Sequence, residues 1–319
     1  MNSSRNQLIA LILPVLFLMG CGKPKVKEHW KNSWPESDFT NATIPLSEIY
    51  LGGKSRHTMK PIDRPYFETL EDKEPIADSE PVISFVNGKV ARAYPIRILI
   101  YHGVVNDVVN EIPIAITYCP LTNTGVIYKR QIDKKSLQFA VSGMLRKSNT
   151  VLYDEQTKSW WQQYTGECLL GEHQGKTLEK VPCRLESLGA YRTRTAEADI
   201  LHPRNPDAHI YGTNPFPGYD NSDETAFLDT PYTGQLPPMS RLLVIGEHAW
   251  PLELIKLREI IITSGIMIRW KPGQNSALDN VVISSGKDVG NITVTEQSNG
   301  ADYEYRVPFA FTFPEFHPD

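Results

Sequence analysis

The chain is short of cysteine and of uninterrupted apolar stretches. Its 319 residues include four Cys, too few for a disulfide-stapled scaffold, which packs several bridges into a much shorter chain. No apolar run reaches the roughly 20 residues that cross a bilayer as a helix; the longest spans residues 8–19. Mean hydropathy of −0.33 likewise excludes a polytopic membrane protein. There is no basic excess either. Lys and Arg number 33 against 37 Asp and Glu, a formal charge of −4, so nucleic acid is not an expected partner. Metal-ligating patterns are missing too. The sequence holds no HExxH, no paired CxxC and no His-rich tract, so no spacing selects a metal and the cofactor stays unassigned. What remains is 40% hydrophobic, 22% charged and 10% aromatic, the composition of a globular protein with a sizeable core.

The front end reads as an address. Arg5, the apolar run 8–19, then Gly20 and Cys21 have the three-part build of an export signal. Leu18-Met19-Gly20-Cys21 resembles a bacterial lipoprotein box, in which Cys21 is diacylated and becomes the new N-terminus. The competing reading is an ordinary secretory signal with a coincidental Cys. The lipoprotein reading predicts a signal over residues 1–20, a tether over residues 21–43, and attachment through Cys21 to a membrane on the extracytoplasmic side of a bacterial envelope.

Three cysteines then remain. Cys168 and Cys183 flank a strand–turn–strand stretch and read equally as a disulfide or as two buried thiols. Cys119 is the odd one. It ends the β-rich run Ile112-Pro-Ile-Ala-Ile-Thr-Tyr-Cys119 and precedes Pro120. A strand ending at a turn presents a reactive side chain readily; a buried structural thiol is the bland alternative.

An internal echo sharpens the choice. Residues 81–101 read as strand, Asn-Gly turn, strand and a Pro-initiated helical turn. Residues 241–257 repeat the pattern, with Ala93-Tyr94-Pro95 matched by Ala249-Trp250-Pro251 at an offset of 249 − 93 = 156. Continuing, Ile114 onward is set against Ile260 onward, Val141-Ser142-Gly143 against Ser284-Ser285-Gly286, and Ile200-Leu-His202-Pro203 against Glu315-Phe-His317-Pro318-Asp319. On this reading the second copy lacks the Cys-Pro-Leu-Thr loop. The expected fold is α+β and β-dominated, with two related units, 44–235 and a degenerate 236–319, each with a short helix after its Pro. Residues present only in the first copy are candidates for function: Arg92, His102, Asn106, Asp107, Cys119 and the Trp160-Trp161-Gln162-Gln163 run.

The ordered series Ile44-Pro-Leu-Ser-Glu-Ile, Gly52-Gly53, Asn87-Gly88, Arg92-Ala-Tyr-Pro95, His102 with Asn106-Asp107, and Tyr118-Cys-Pro-Leu121 resembles the domain of unknown function 3179. Ser142-Gly143-Met-Leu145, Tyr153-Asp154, Ser159-x-Trp161-x-Gln163 and Gly166 extend the likeness. The resemblance implies an exported bacterial or archaeal protein and brings no assigned activity with it. Many members carry Cys-Pro-Leu-Cys where Thr122 stands here, which removes a two-thiol redox cycle from this loop.

The chemistry these residues suggest first is a thiolate enzyme with a polar pocket around Cys119. His102 would serve as base and Asp107 would orient its ring. Arg92, Asn106, Ser142, Trp161 and Gln163 would bind a small-molecule or envelope ligand. Two readings compete with it. Cys119 and His102 with Met144 would make a soft-metal site. A non-enzymatic binding module would stack its ligand on Tyr153, Trp160, Trp161 and Tyr164. The aromatic, Pro-rich loop 211–219 either walls a pocket or simply crosses between the units.

Overall fold

The computed structural model describes residues 32–52, 56, 58–70, 76–195, 198–223, 225, 228 and 231–318. The signal segment, Cys21 and the first part of the expected tether lie outside them. The chain is β-dominated, with four short helices among the described residues: α1 (Ile96–His102), α2 (Leu188–Arg194), α3 (Leu252–Arg258) and α4 (Thr312–Phe316). None of them is long and apolar enough to cross a membrane.

The strand Ile112–Cys119 organises the first half. It sits in a four-stranded sheet between Val104–Val109 and Thr124–Lys129, with Lys180–Val181 at the edge. Side chains alternate across a strand. Ile114, Ile116 and Tyr118 therefore face a core that holds Ile98, Leu99 and Ile100 of α1. Ala115, on the opposite face, packs with Phe139, Leu152 and Trp161. Those residues belong to a five-stranded antiparallel sheet, ordered Ile49–Leu51, Phe139–Arg146, Asn149–Asp154, Trp160–Gln162 and Cys168–Leu170. Part of the stretch expected as tether packs on the fold, with Trp34 and Ser37 buried while Pro35, Glu36, Asp38, Thr40 and Thr43 are exposed. Trp34 is 1% exposed and meets Tyr153 and Trp160 edge-on at 4.7 and 5.2 Å. Large aromatics there cover the outer face of the five-stranded sheet, so the chain is anchored in the fold from Trp34 onward.

Two runs have the same local build. Pro81–Asn87 pairs with Val90–Pro95 and leads into α1; Leu242–Ile245 pairs with His248–Pro251 and leads into α3. Both hairpin loops begin on a glycine at positive φ, Gly88 at 61° and Gly246 at 55°, where a side chain would be strained. Both helices have seven residues. Gly103 closes α1 with its N–H on Leu99 O, and Glu259 closes α3 with its N–H on Ile255 O, both at 2.7 Å. Tyr118 N–H then reaches Gly103 O at 3.0 Å, and Trp270 N–H reaches Glu259 O at 2.9 Å.

The hydrogen-bond register sets the two runs side by side differently from the fixed sequence offset. Ile260–Thr263 follows its helix as Val104–Val109 does, so it does not correspond to the strand carrying Ile114. By backbone register Trp270 takes the place relative to its helix end that Tyr118 takes relative to Gly103, which puts Lys271 at the register position of Cys119. Val141-Ser142-Gly143 lies in a strand, whereas Ser284 and Ser285 lie in a 3-10 turn. Ile200 to His202 is a strand, while Phe316 ends α4. Residues beyond 236 form a core cluster that includes Leu243, Ile255, Ile268 and Val294, and they also join the core of the first half. Met239, Leu278, Phe309 and Phe311 pack with Ile98, Leu99 and Tyr118, and Asn123 Nδ2 donates to Val307 O at 2.8 Å.

Candidate functional site

A cleft of about 560 Å³ opens where the strand Ile112–Cys119 ends. Its floor is Tyr118, Pro120 and Leu121, with Ile100 of α1 beside them. Strand alternation puts Tyr118 on this side and Cys119 on the other. Cys119 is fully buried and is not among the residues that line the cleft. The Tyr118 hydroxyl donates to Asn123 Oδ1 at 3.2 Å, and burial pushes its phenol well above the ordinary range, so it is a neutral group.

The second wall comes from a bulge in Phe139–Arg146. Val141 pairs with Leu152 and Leu145 with Thr150, and the register shifts between them. Ser142 holds the distortion: its Oγ donates to Val151 O at 2.5 Å and accepts from Met144 N at 3.0 Å. Gly143, at φ 82°, supplies a conformation that other residues adopt at a cost. Gly52 N–H donates to Gly143 O at 2.8 Å, and a Cβ on Gly52 would stand 2.9 Å from Leu145 Cγ. The bulge thus sets Val141, Gly143 and Leu145 along the cleft.

The third wall is the Pro-rich loop, through Pro215, Phe216, Pro217 and Tyr219. It is pinned at both ends. The Tyr219 hydroxyl donates to Leu121 O at 2.9 Å, while Asn214 N–H and Gly218 N–H reach Val281 O and Asp279 O at 2.8 and 2.6 Å. Met59, Thr150 and Ser222 complete the lining. Among the described residues that line the cleft, no side chain is charged.

The polar residues expected to form the site are engaged elsewhere. His102 Nδ1 lies 2.7 Å from Lys60 O, and Nε2 lies 2.8 Å from the Tyr211 hydroxyl. Asp107 therefore does not orient it. The Asp107 carboxylate instead accepts from Arg92 Nη1 at 2.8 and 2.7 Å, from the Tyr94 hydroxyl at 2.6 Å and from Val108 N–H at 2.7 Å. Arg92 also lies over the Phe67 ring at 4.4 Å. Asn106 clamps the two sheets, donating to Phe139 O and accepting from Phe139 N. Trp161 is buried and donates to Asp154 Oδ2 at 3.0 Å, so it offers no stacking face. Gln163 is buried with Thr117, Thr124 and Asn149. Each of these side chains satisfies a buried partner, which is what a polar group enclosed by two sheets must do. Cys168 and Cys183 are free thiols in different cores, and burial pushes both up to about 12.

A family model described as a protein of unknown function, DUF3179, matches residues 58–319. The chain belongs to the DUF3179 family. No curated protein and no solved structure matches it. The DUF3179 match runs through the second hairpin–helix run as well as the first. The motifs gathered from sequence meet at the cleft: Gly52, the Tyr118-x-Pro120-Leu121 positions, and Gly143 with Leu145. Sequence reasoning selected Cys119 and Ser142 from those motifs because they are polar, and passed over their apolar neighbours. Met59, Ile100 and Thr150 carried no signal at all; the loop 211–219 did, through its aromatic and Pro content.

In this DUF3179 chain His102 ties two walls together, since Lys60 follows Met59 and Tyr211 precedes the Pro-rich wall. Lys60 O can only accept, so Nδ1 carries the proton and neutral Nε2 accepts from Tyr211. Burial holds the imidazole below its ordinary value, and the bond to Lys60 works against that. A folded value below the unfolded value, about 6.5, gives stability that is complete above about pH 6.5 and is lost as pH falls toward the folded value. Melting temperature should accordingly fall more between pH 7.5 and 5.5 in the wild type than in His102→Gln. Equal falls in both would remove His102 as the source.

Proposed function

We propose that this DUF3179 protein is a lipid-anchored envelope protein that binds a neutral, largely apolar small molecule in the cleft at Tyr118, Pro120 and Leu121. The observation that carries the reading is a cleft of about 560 Å³ with no charged side chain among its described lining residues. That volume lies within the roughly 300–1,000 Å³ of small-molecule pockets, whose lining is mostly apolar with a few polar groups for orientation. Thr150 and Ser222 are the polar side chains of the lining besides Tyr118 and Tyr219, whose hydroxyls already donate to Asn123 and Leu121. The Gly20-Cys21 junction supports the anchor. In the same reading the two hairpin–helix runs are copies of one unit, of which the first carries the cleft. Thiolate chemistry at Cys119 is less favoured, because the side chain is enclosed on the opposite strand face from the cleft.

Nile red, a neutral apolar fluorophore, tests the binding claim. It should bind saturably with one site per chain. Leu121→Arg should weaken it about 100-fold, because a cation in an apolar cleft must be dehydrated when the cleft fills. Leu121→Met, which conserves volume, should keep the affinity within a few-fold. Cys119→Ala should bind as the wild type does. Non-saturable binding, or equal binding by Leu121→Arg, would sink the cleft; binding lost in Cys119→Ala alone would return the thiol to the site.

A further inference from the structure

The second hairpin–helix run exposes what the first run covers. Val104 and Asn106, on the strand that follows α1, are 0% and 2% exposed. Ile260 and Ile262 hold the same places after α3 and are 49% and 55% exposed. On the helix itself, Ile98 is buried at 1% whereas Leu254 is 40% exposed and Leu257 is 79% exposed. The first run is covered by the chain's own segments. Val104 packs under Phe139 and Val141, and Asn106 is clamped to Phe139. Among the described residues, no sheet is laid over Ile260 and Ile262 in the same way.

The strand edge differs in parallel. With Trp270 N–H on Glu259 O and Ile261 opposite Ile268, Ile260 and Ile262 turn their backbone N–H and C=O groups away from their own sheet. In the first run the matching groups are taken. Ile62 N–H donates to Val104 O at 3.0 Å, and Asn106 N–H donates to Ile62 O at 2.8 Å. Ile260–Thr263 is the edge of its three-stranded sheet. It is short, at four residues, but carries no charge, no Pro and no bulge, three of the devices that keep an edge from pairing.

We propose that this edge pairs with itself, joining two copies of the chain in a two-fold dimer through Ile260–Thr263. The inference rests on reading the two runs as copies of one unit; it does not depend on what the cleft binds. A second copy fits because the strand is self-complementary. Antiparallel pairing with the two-fold axis at Ile261 sets Ile260 of each chain against Ile262 of the other. The outward groups then form roughly four backbone hydrogen bonds. In that register Glu259 faces Thr263 and Arg258 faces Ser264, so no like charges meet. The apolar side chains of Ile260 and Ile262 come together on one face, and two three-stranded sheets become one of six.

The register makes the test specific. Residue 261 opposes its own copy at a Cα separation of about 4.5 Å, close enough to bridge. Residue 263 lies about 13 Å from its copy, four strand positions away. Full-length protein in mild detergent should sediment as a dimer. Ile261→Cys should cross-link between chains under mild oxidation, and Thr263→Cys should not. Ile262→Lys, a change at an exposed position, should give a monomer with an unchanged melting temperature and unchanged Nile red binding. A monomeric wild type would overturn the proposal and leave the face to a different partner. So would a dimer that survives Ile262→Lys, or one that cross-links through residue 263 instead of 261. Loss of Nile red binding in an intact dimer would count against the cleft alone.

Discussion

Asn149→Ala should cost about 3–5 kcal/mol of folding stability, the sum of leaving two or more buried groups unpaired at about 1–3 kcal/mol each. Asn149 is fully buried and joins the two main sheets. Its Oδ1 accepts from Gln162 Nε2 at 2.8 Å and from Tyr164 N–H at 3.0 Å. Its Nδ2 donates to Thr122 Oγ1 at 2.9 Å and to Gln163 Oε1 at 2.8 Å. Truncation strands the Gln162 amide and the Tyr164 N–H without water, whereas Gln163 Oε1 keeps the Thr124 hydroxyl at 2.8 Å. Urea unfolding followed by Trp fluorescence measures the loss. A change under 1 kcal/mol would mean that solvent reaches this layer and that the network does not hold the sheets together.

Arg92→Met should cost about 2–4 kcal/mol at neutral pH, less than a fully enclosed pair because Arg92 is partly exposed. Its side chain is 21% exposed against 6% for Asp107. Removing the cation leaves a buried carboxylate with only the Tyr94 hydroxyl and the Val108 N–H. The double variant Arg92→Met/Asp107→Asn should be more stable than Arg92→Met alone, because an amide oxygen still accepts both bonds and no charge is left enclosed. An additive double variant would show that the ion pair is not what links the Arg92 strand to the Asp107 strand. In that case Arg92 would be free for the ligand-binding role that its residue type suggests.

Much of the architecture was legible because it is locally encoded. Gly88 and Gly246 mark tight turns. Pro95 and Pro251 open short helices, and the alternation in Ile114, Ile116 and Tyr118 marks a strand with a buried face. The echo between the two runs was visible in the same signals, but its register was not. The turn after Thr263 comes earlier than the turn after Val109, so a fixed offset pairs the wrong strands. Backbone hydrogen bonds, which sequence does not display, set Lys271 against Cys119.

The site was legible only as a set of positions. Tyr118-Cys119-Pro120-Leu121, Gly52 and Ser142-Gly143-Met144-Leu145 stood out, and part of each motif does line the cleft. Which member of each motif faces it depends on strand parity and on a bulge. Polar residue types drew attention to Cys119, His102, Asp107, Arg92, Asn106 and Gln163, yet buried polar groups usually find partners in the fold, and the last five do so. Those partners, from Lys60 O to Phe139 and Thr117, lie in distant segments.

Family membership and a β-rich fold with short helices after Pro95 and Pro251 are thus readable from the residues in order, because local chemistry and motif order carry them. The tertiary structure alone decided which way Cys119 turns, whether His102 and Asp107 meet, and whether the strand after each hairpin–helix run is covered or left bare. Each of those depends on segments far apart in the chain being packed against one another, and no local pattern records that.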